Sequence, residues 1–166
     1  MTIQAGDRLP DVPLAIASAE GPQPTTSGEY FKGKRMALFA VPGAFTPTCS
    51  ARHLPSYVEK AGELKAKGID EIACISVNDP FVMGAWNERD GSSDITMIAD
   101  GNGAFADAIG LVMDGSKFGM GTRSALFDGR QRRRRRATEC RGSGRISRVE
   151  RRIYARPDGH RLTLNG

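Results

Sequence analysis

Lysine is missing from the last quarter of this chain. Residues 125–166 hold thirteen arginines and no lysine, although phosphate-binding arms usually share their contacts between the two. Histidine is scarce as well, with only His53 and His160, and the three cysteines, Cys49, Cys74 and Cys140, follow no metal-ligand spacing. A zinc site is therefore not expected, nor any other metal or cofactor. Paired carboxylates and a Gly-rich phosphate loop are both lacking, which removes support for glycosidase and nucleotide chemistry. No stretch approaches the ~18 consecutive apolar residues of a membrane span. The opening MTIQAGDRLPDVPLA lacks a basic-then-apolar export signal, so the cytoplasm is the expected compartment and no membrane partner is expected. Disulfides are rare there, and the useful question is which thiol is reactive.

What is present divides in two. Residues 1–124 carry 11 Lys+Arg against 15 Asp+Glu, a net −4, whereas 125–166 carry 13 against 4, a net +9. The chain's 166 residues fit one domain with a real core. The second part contains five consecutive arginines, 132–136, and has no sustained apolar period of 2 or 3.6. Taken alone it reads as a disordered tail.

Within 1–124, short apolar runs at Met36–Val41, 69–77 and Ile95–Ala99 predict buried strands. In the segment 50–68, Leu54, Tyr57, Val58, Ala61 and Leu64 recur at helical spacing, and Lys65, Lys67 and Gly68 close it as a helix end. Segments 80–88 and 103–111 are shorter helix candidates. Alternating strands and helices predict an α/β domain on a largely parallel sheet.

The segment VPGAFTPTCS runs from the first buried strand through a Pro/Gly-rich turn into the amphipathic helix, and puts Cys49 in that helix's first turn. Free N–H groups and the positive end of the helix favour an anion there, which predicts a stabilised thiolate with a lowered pKa. Thr46 and Thr48 can hydrogen-bond around the sulfur, and Pro42 and Pro47 stiffen the loop. The alternative is a plain buried thiol, since free cysteine is often a small hydrophobe. Cys74, mid-strand in an apolar run, reads as structural. His53, one turn after Cys49, reads as packing or capping, and Trp86 as core or interface.

The block from Val41 to Trp86, with the later IADGNGAFADAIGL and GMGTRS, resembles the peroxiredoxins, specifically their type-five class. The resemblance covers about 1–124, and its motif Pro-x-x-x-Thr-x-x-Cys is met by Pro42, Thr46 and Cys49. It implies a thioredoxin-like fold, a mixed central sheet flanked by helices. It also implies a thiol peroxidase that reduces hydrogen peroxide or alkyl hydroperoxides, with Cys49 passing through a sulfenic acid and Thr46 and Pro42 shaping its pocket. With Cys74 buried and Cys140 outside the resemblance, the implied enzyme has one working cysteine, reduced by glutathione, glutaredoxin or thioredoxin. A homodimer is the implied assembly.

Relatives of this class continue after GMGTRS with a Gln-Arg pair, two strands and a helix, the arginine assisting the cysteine. Here Ala125 and Leu126 follow instead, and Arg123, at a different backbone position, is not expected to replace that cation. Arginine codons read one base later become codons for Gly, Val, Ala, Asp or Glu. Ala125 to Asp128 can then be encoded so that the shifted frame reads Arg-Tyr-Ser-Met. The expectation is an out-of-frame tail over 125–166, with the C-terminal hairpin and helix missing. The alternatives are an inactive remnant and a polyanion-binding protein that uses the arginine tail; a nucleic-acid partner is not expected.

Overall fold

The computed structural model describes residues 2–4 and 7–121, together with the backbone of three short strands beyond them. In chain order the elements are β1 (Pro13–Ser18), β2 (Gly21–Thr26), α1 (Ser27–Phe31), β3 (Met36–Val41), a π-turn (Cys49–His53), α2 (Leu54–Glu59), α3 (Ala61–Ala66) and β4 (Glu71–Ser76). There follow α4 (Pro80–Asp90), β5 (Ile95–Ala99), α5 (Ala104–Ala108), β6 (Val112–Met113), β7 (Ser124–Ala125), β8 (Arg152–Ala155) and β9 (Leu162–Asn165).

All six residues of β3 are buried, because both of its faces are covered. Ala37, Phe39 and Val41 point into a core shared with Leu54, Tyr57, Leu64, Cys74 and Trp86. Met36, Leu38 and Ala40 point to the other face, into a core with Tyr30, Phe31, Phe105 and Ile109. This alternation at a period of two is why the run is continuously apolar. The main sheet has the order β2-β1-β5-β4-β3-β8-β9. Strands β3, β4 and β5 are parallel, and β1 and β8 pair antiparallel at either side of them. The expected thioredoxin-like α/β fold, a mixed sheet flanked by helices, is present.

Local chemistry starts the helices. Asp79 accepts from the N–H groups of Phe81 and Val82, both at 2.9 Å, and Pro80 fills the first helical position of α4. Gly103 precedes α5 at φ 67°, a left-handed conformation that suits glycine.

Three differences from the sequence expectation have physical causes. The single helix predicted over 50–68 is divided into a π-turn, α2 and α3. Pro55 has no N–H to give to the carbonyl one α-turn back, so the backbone widens there, and the Leu54 N–H reaches Cys49 O instead. The hairpin β1–β2 has no apolar run in its second strand, GPQPTT, and the sequence did not reveal it. The hairpin expected to be missing from the C-terminal part is also there as backbone: β8 pairs with β3, and β9 with β8. An unpaired edge on the wholly apolar β3 would leave a row of backbone donors and acceptors open, and β8 closes it. No helix follows Phe118 among the described residues. The arginine run, Cys140 and Arg123 lie outside the described residues.

Candidate active site around Cys49

The loop between β3 and the π-turn forms at the C-terminal end of the parallel strands, where open α/β sheets bind their ligands. Pro42, half-buried, ends β3 and opens this loop. Gly43 lies against the tip of Met120: a Cβ there would lie 2.8 Å from Met120 Cε and would push that methyl aside. Asn78, two residues beyond β4, fixes the next step, since its Oδ1 accepts from the Ala44 N–H at 2.9 Å and from the Ser76 hydroxyl at 2.8 Å. Phe45 then adopts φ 61°, a left-handed conformation costing a residue with a Cβ about 1–2 kcal/mol. Backbone strain of this kind collects where geometry serves a purpose.

Cys49 opens the π-turn and is 5% exposed. The Ser50 N–H donates to Thr46 O at 2.9 Å, so Thr46 is the last residue before the helical turn. Its hydroxyl donates to Gly43 O at 2.8 Å and lies near enough to Cys49 to favour its thiolate. A hydroxyl has one proton, and here it is given to Gly43 O. Burial pushes the Cys49 thiol above its usual range, and the Thr46 hydroxyl pulls it back in part. The lowering expected from the helix end is therefore outweighed by desolvation, and no charged group among the described residues shifts this thiol.

Two of the three predicted site residues, Thr46 and Cys49, thus sit in one turn, and Pro42 begins the loop that carries them. Cys74 is fully buried in β4, and burial raises its thiol well above the usual range. His53 packs as expected, its ring 5.6 Å from Phe39 and 6.0 Å from Tyr57. Trp86 is wholly buried core. Sequence reasoning missed Asn78, Ser50, Arg89 and Asp90. The segment SVNDP, an Asn-Asp pair directly after a buried strand, was the available signal for the first; the others are ordinary polar residues of helical segments.

A thioredoxin-like sheet with a cysteine at the head of the helical segment after β3 defines the class of protein. The Redoxin family model matches residues 4–132, ending at the first arginine of the run. The chain is 52% identical over 132 residues to the chloroplastic Peroxiredoxin-2E-2 of Oryza sativa, covering 76% of this chain and 59% of that protein. It is 45% identical over 127 residues to Peroxiredoxin-2B of Arabidopsis thaliana, covering 75% of this chain and 78% of the relative. The fold superposes on reduced Prx3 of Vibrio vulnificus in complex with hydrogen peroxide, at TM-score 0.76 and 38% identity, covering 99% of this chain and 87% of the other. This chain belongs to the peroxiredoxin family. It spans somewhat under two thirds of the chloroplastic relatives it matches.

Proposed function

We propose that the protein is a thiol-dependent peroxidase acting on hydrogen peroxide and alkyl hydroperoxides, with Cys49 as nucleophile. The observation that carries this is a nearly buried cysteine at the head of a helical turn, with Thr46 one turn before it bonded to the loop by its hydroxyl and to the turn by its carbonyl. The Cys49 thiolate attacks one peroxide oxygen and the O–O bond breaks. Two electrons pass from sulfur to the peroxide, and the leaving alkoxide or hydroxide takes up a proton. Sulfur keeps the other oxygen as a sulfenic acid. Thr46 and the backbone N–H groups of the turn hold the two oxygens in line, while Pro42 shapes the pocket wall. Two thiols then restore Cys49, releasing a disulfide and water. Cys74, wholly buried in its strand, is poorly placed to serve, so the reductant is external: glutathione, glutaredoxin or thioredoxin.

The peroxide complex belongs to the Vibrio vulnificus protein; 38% identity to it supports the same substrate class here. A reducing compartment such as the cytoplasm suits the two free thiols, Cys49 and Cys74. Phe45, Phe81 and Phe118 are exposed at 40%, 72% and 79%. Phe45 lies in the Cys49 loop, Phe81 three residues beyond Asn78, and Phe118 two residues before Met120, which supports a homodimer closing over this end of the sheet. The experiment is peroxide consumption with each reductant: Cys49→Ser is expected to abolish it and salt to leave it unchanged. Turnover that survives Cys49→Ser overturns the proposal.

A second reading is favoured by one observation, the upward push of burial on Cys49 without a charged partner among the described residues. It is a peroxiredoxin whose thiol is poorly ionised, an inactive remnant. The proposal that 125–166 are read out of frame leads the same way, because the family's assisting arginine would be lost with the original text. Reading the DNA across codons 123–129 is expected to show Arg-Tyr-Ser-Met one base over; its absence overturns the shift. If the arginine tail instead binds a polyanion, that complex should weaken steeply with salt.

A further inference from the structure

The last turn of α4 faces the turn that carries Cys49. Trp86, fully buried, donates its Nε1–H to Ser50 Oγ at 2.9 Å and to Asp90 Oδ2 at 2.9 Å. Arg89 grips the same carboxylate, Nε to Oδ1 at 2.8 Å and Nη2 to Oδ2 at 2.5 Å, and its Nη2 also reaches Ser50 Oγ at 3.3 Å. The Arg89 guanidinium lies 4.6 Å from the centre of the Phe45 ring. Asp90 is held ionised, its carboxyl at about 2, by Arg89 first, against an opposing push from burial, with Ser50 and Trp86 adding to the effect. Ser50 follows Cys49 directly, and Phe45 is the strained residue four positions before it.

We propose that Asp90 is a positioning residue for Cys49: through Trp86 and Ser50 on one side of the thiol and through Arg89 and Phe45 on the other, it holds the turn so that the sulfur stays buried beside Thr46. A π-turn followed directly by Pro55, which gives no N–H back to it, has a weakened ladder of its own, and side-chain anchors from a neighbouring helix supply what the backbone lacks. Ser50 is the joint, since its hydroxyl oxygen meets both donors from α4. The inference rests on Cys49 as the reacting thiol, but its main readout needs no peroxidase activity.

The test is alkylation of Cys49 by iodoacetamide as a function of pH, followed on the Cys49 peptide by mass spectrometry, in wild type, Asp90→Ala, Ser50→Ala, the double variant and Ser50→Thr. Loosening the turn exposes the sulfur and relieves its desolvation, so each alanine variant is expected to react about three- to tenfold faster with a lower pH midpoint. The double variant should go no further, because both residues act through one connection. Ser50→Thr keeps the hydroxyl and should retain the wild-type profile. Reaction with hydrogen peroxide, which needs the held geometry, should fall about tenfold in the same alanine variants. Unchanged alkylation, a fall in both reactions together, or additive single effects overturns the proposal. A wild type inert to peroxide, whose alkylation still responds in this way, would sink the peroxidase reading and leave the positioning role upheld.

Discussion

At the N-terminal end of the parallel strands, Glu71 is held from three sides: Tyr30 donates its hydroxyl, Lys34 Nζ sits at 2.8 Å and Thr96 Oγ1 at 2.7 Å, with Lys34 also 4.5 Å over the Tyr30 ring. At the C-terminal end, the Cys49 thiol is lowered only by the Thr46 hydroxyl among the described residues, with a strained Phe45 before it and a π-turn that begins at it. Both ends are polar, but they do different things. The first is a saturated cluster in which every ionised or hydroxyl group meets a partner of suitable charge, and it ties α1 to the sheet. The second keeps its central group between opposing influences, burial raising the thiol and the Thr46 hydroxyl lowering it, with no ion pair among the described residues to tie it down. Changes at the first end should alter stability and spare the thiol, whereas changes at the second should alter the thiol.

The largest expected effect crosses between the two, because Trp86 is both core and anchor. Trp86→Ala should destabilise the protein by about 3–5 kcal/mol in urea unfolding and also change the rate of Cys49 alkylation; an unchanged rate would separate core from site. Cys74→Ser buries a hydroxyl among Phe39 and Met97, its neighbours in register, and should cost about 1–3 kcal/mol without altering peroxide consumption. Loss of turnover in that variant would make Cys74 a working thiol and break the contrast between the two cysteines. Tyr30→Phe removes a hydrogen bond to a carboxylate and should cost about 1–2 kcal/mol, with Cys49 reactivity intact.

The smallest effect is the pH dependence. Glu71 is partly buried, and its bonds to Lys34, Tyr30 and Thr96 outweigh desolvation to hold its carboxyl below the ordinary value of 4.5. A folded pKa below the unfolded one means that the contribution is present above pH 4.5 and is lost as pH falls through the lowered value. Urea midpoints measured from pH 6 down to about 3 should therefore fall, and Glu71→Gln should flatten that dependence.

Much of the fold was legible because three strands are apolar without interruption. Met36–Val41 and Ile95–Ala99 keep their predicted bounds, and the predicted 69–77 is observed as Glu71–Ser76. β2 was hidden because its exposed residues, Pro22 and Pro24 among them, carry no apolar pattern. The pairing of β8 and β9 was hidden among arginines, although Pro157-Asp158-Gly159 between Ile153-Tyr154 and Leu162-Thr163-Leu164 is hairpin chemistry in the sequence. At the site, Cys49 and Thr46 were legible because the turn that joins them is local. Ser50, Arg89 and Asp90 were not, because they meet across 39 or 40 positions of chain, and neither a helical period nor a short motif encodes such a contact. The direction of the Cys49 shift was misjudged for a related reason: the helix end is visible in sequence, whereas the burial that outweighs it depends on the packed core.

The most direct test of the account is the rate at which hydrogen peroxide oxidises Cys49 in stopped flow, followed by the emission of Trp86, the chain's single tryptophan, which is bonded to the residue next to the thiol. The expected result is a rate about a hundredfold or more above that of free cysteine at the same pH, and no signal in Cys49→Ser. A rate equal to that of an ordinary thiol would contradict it.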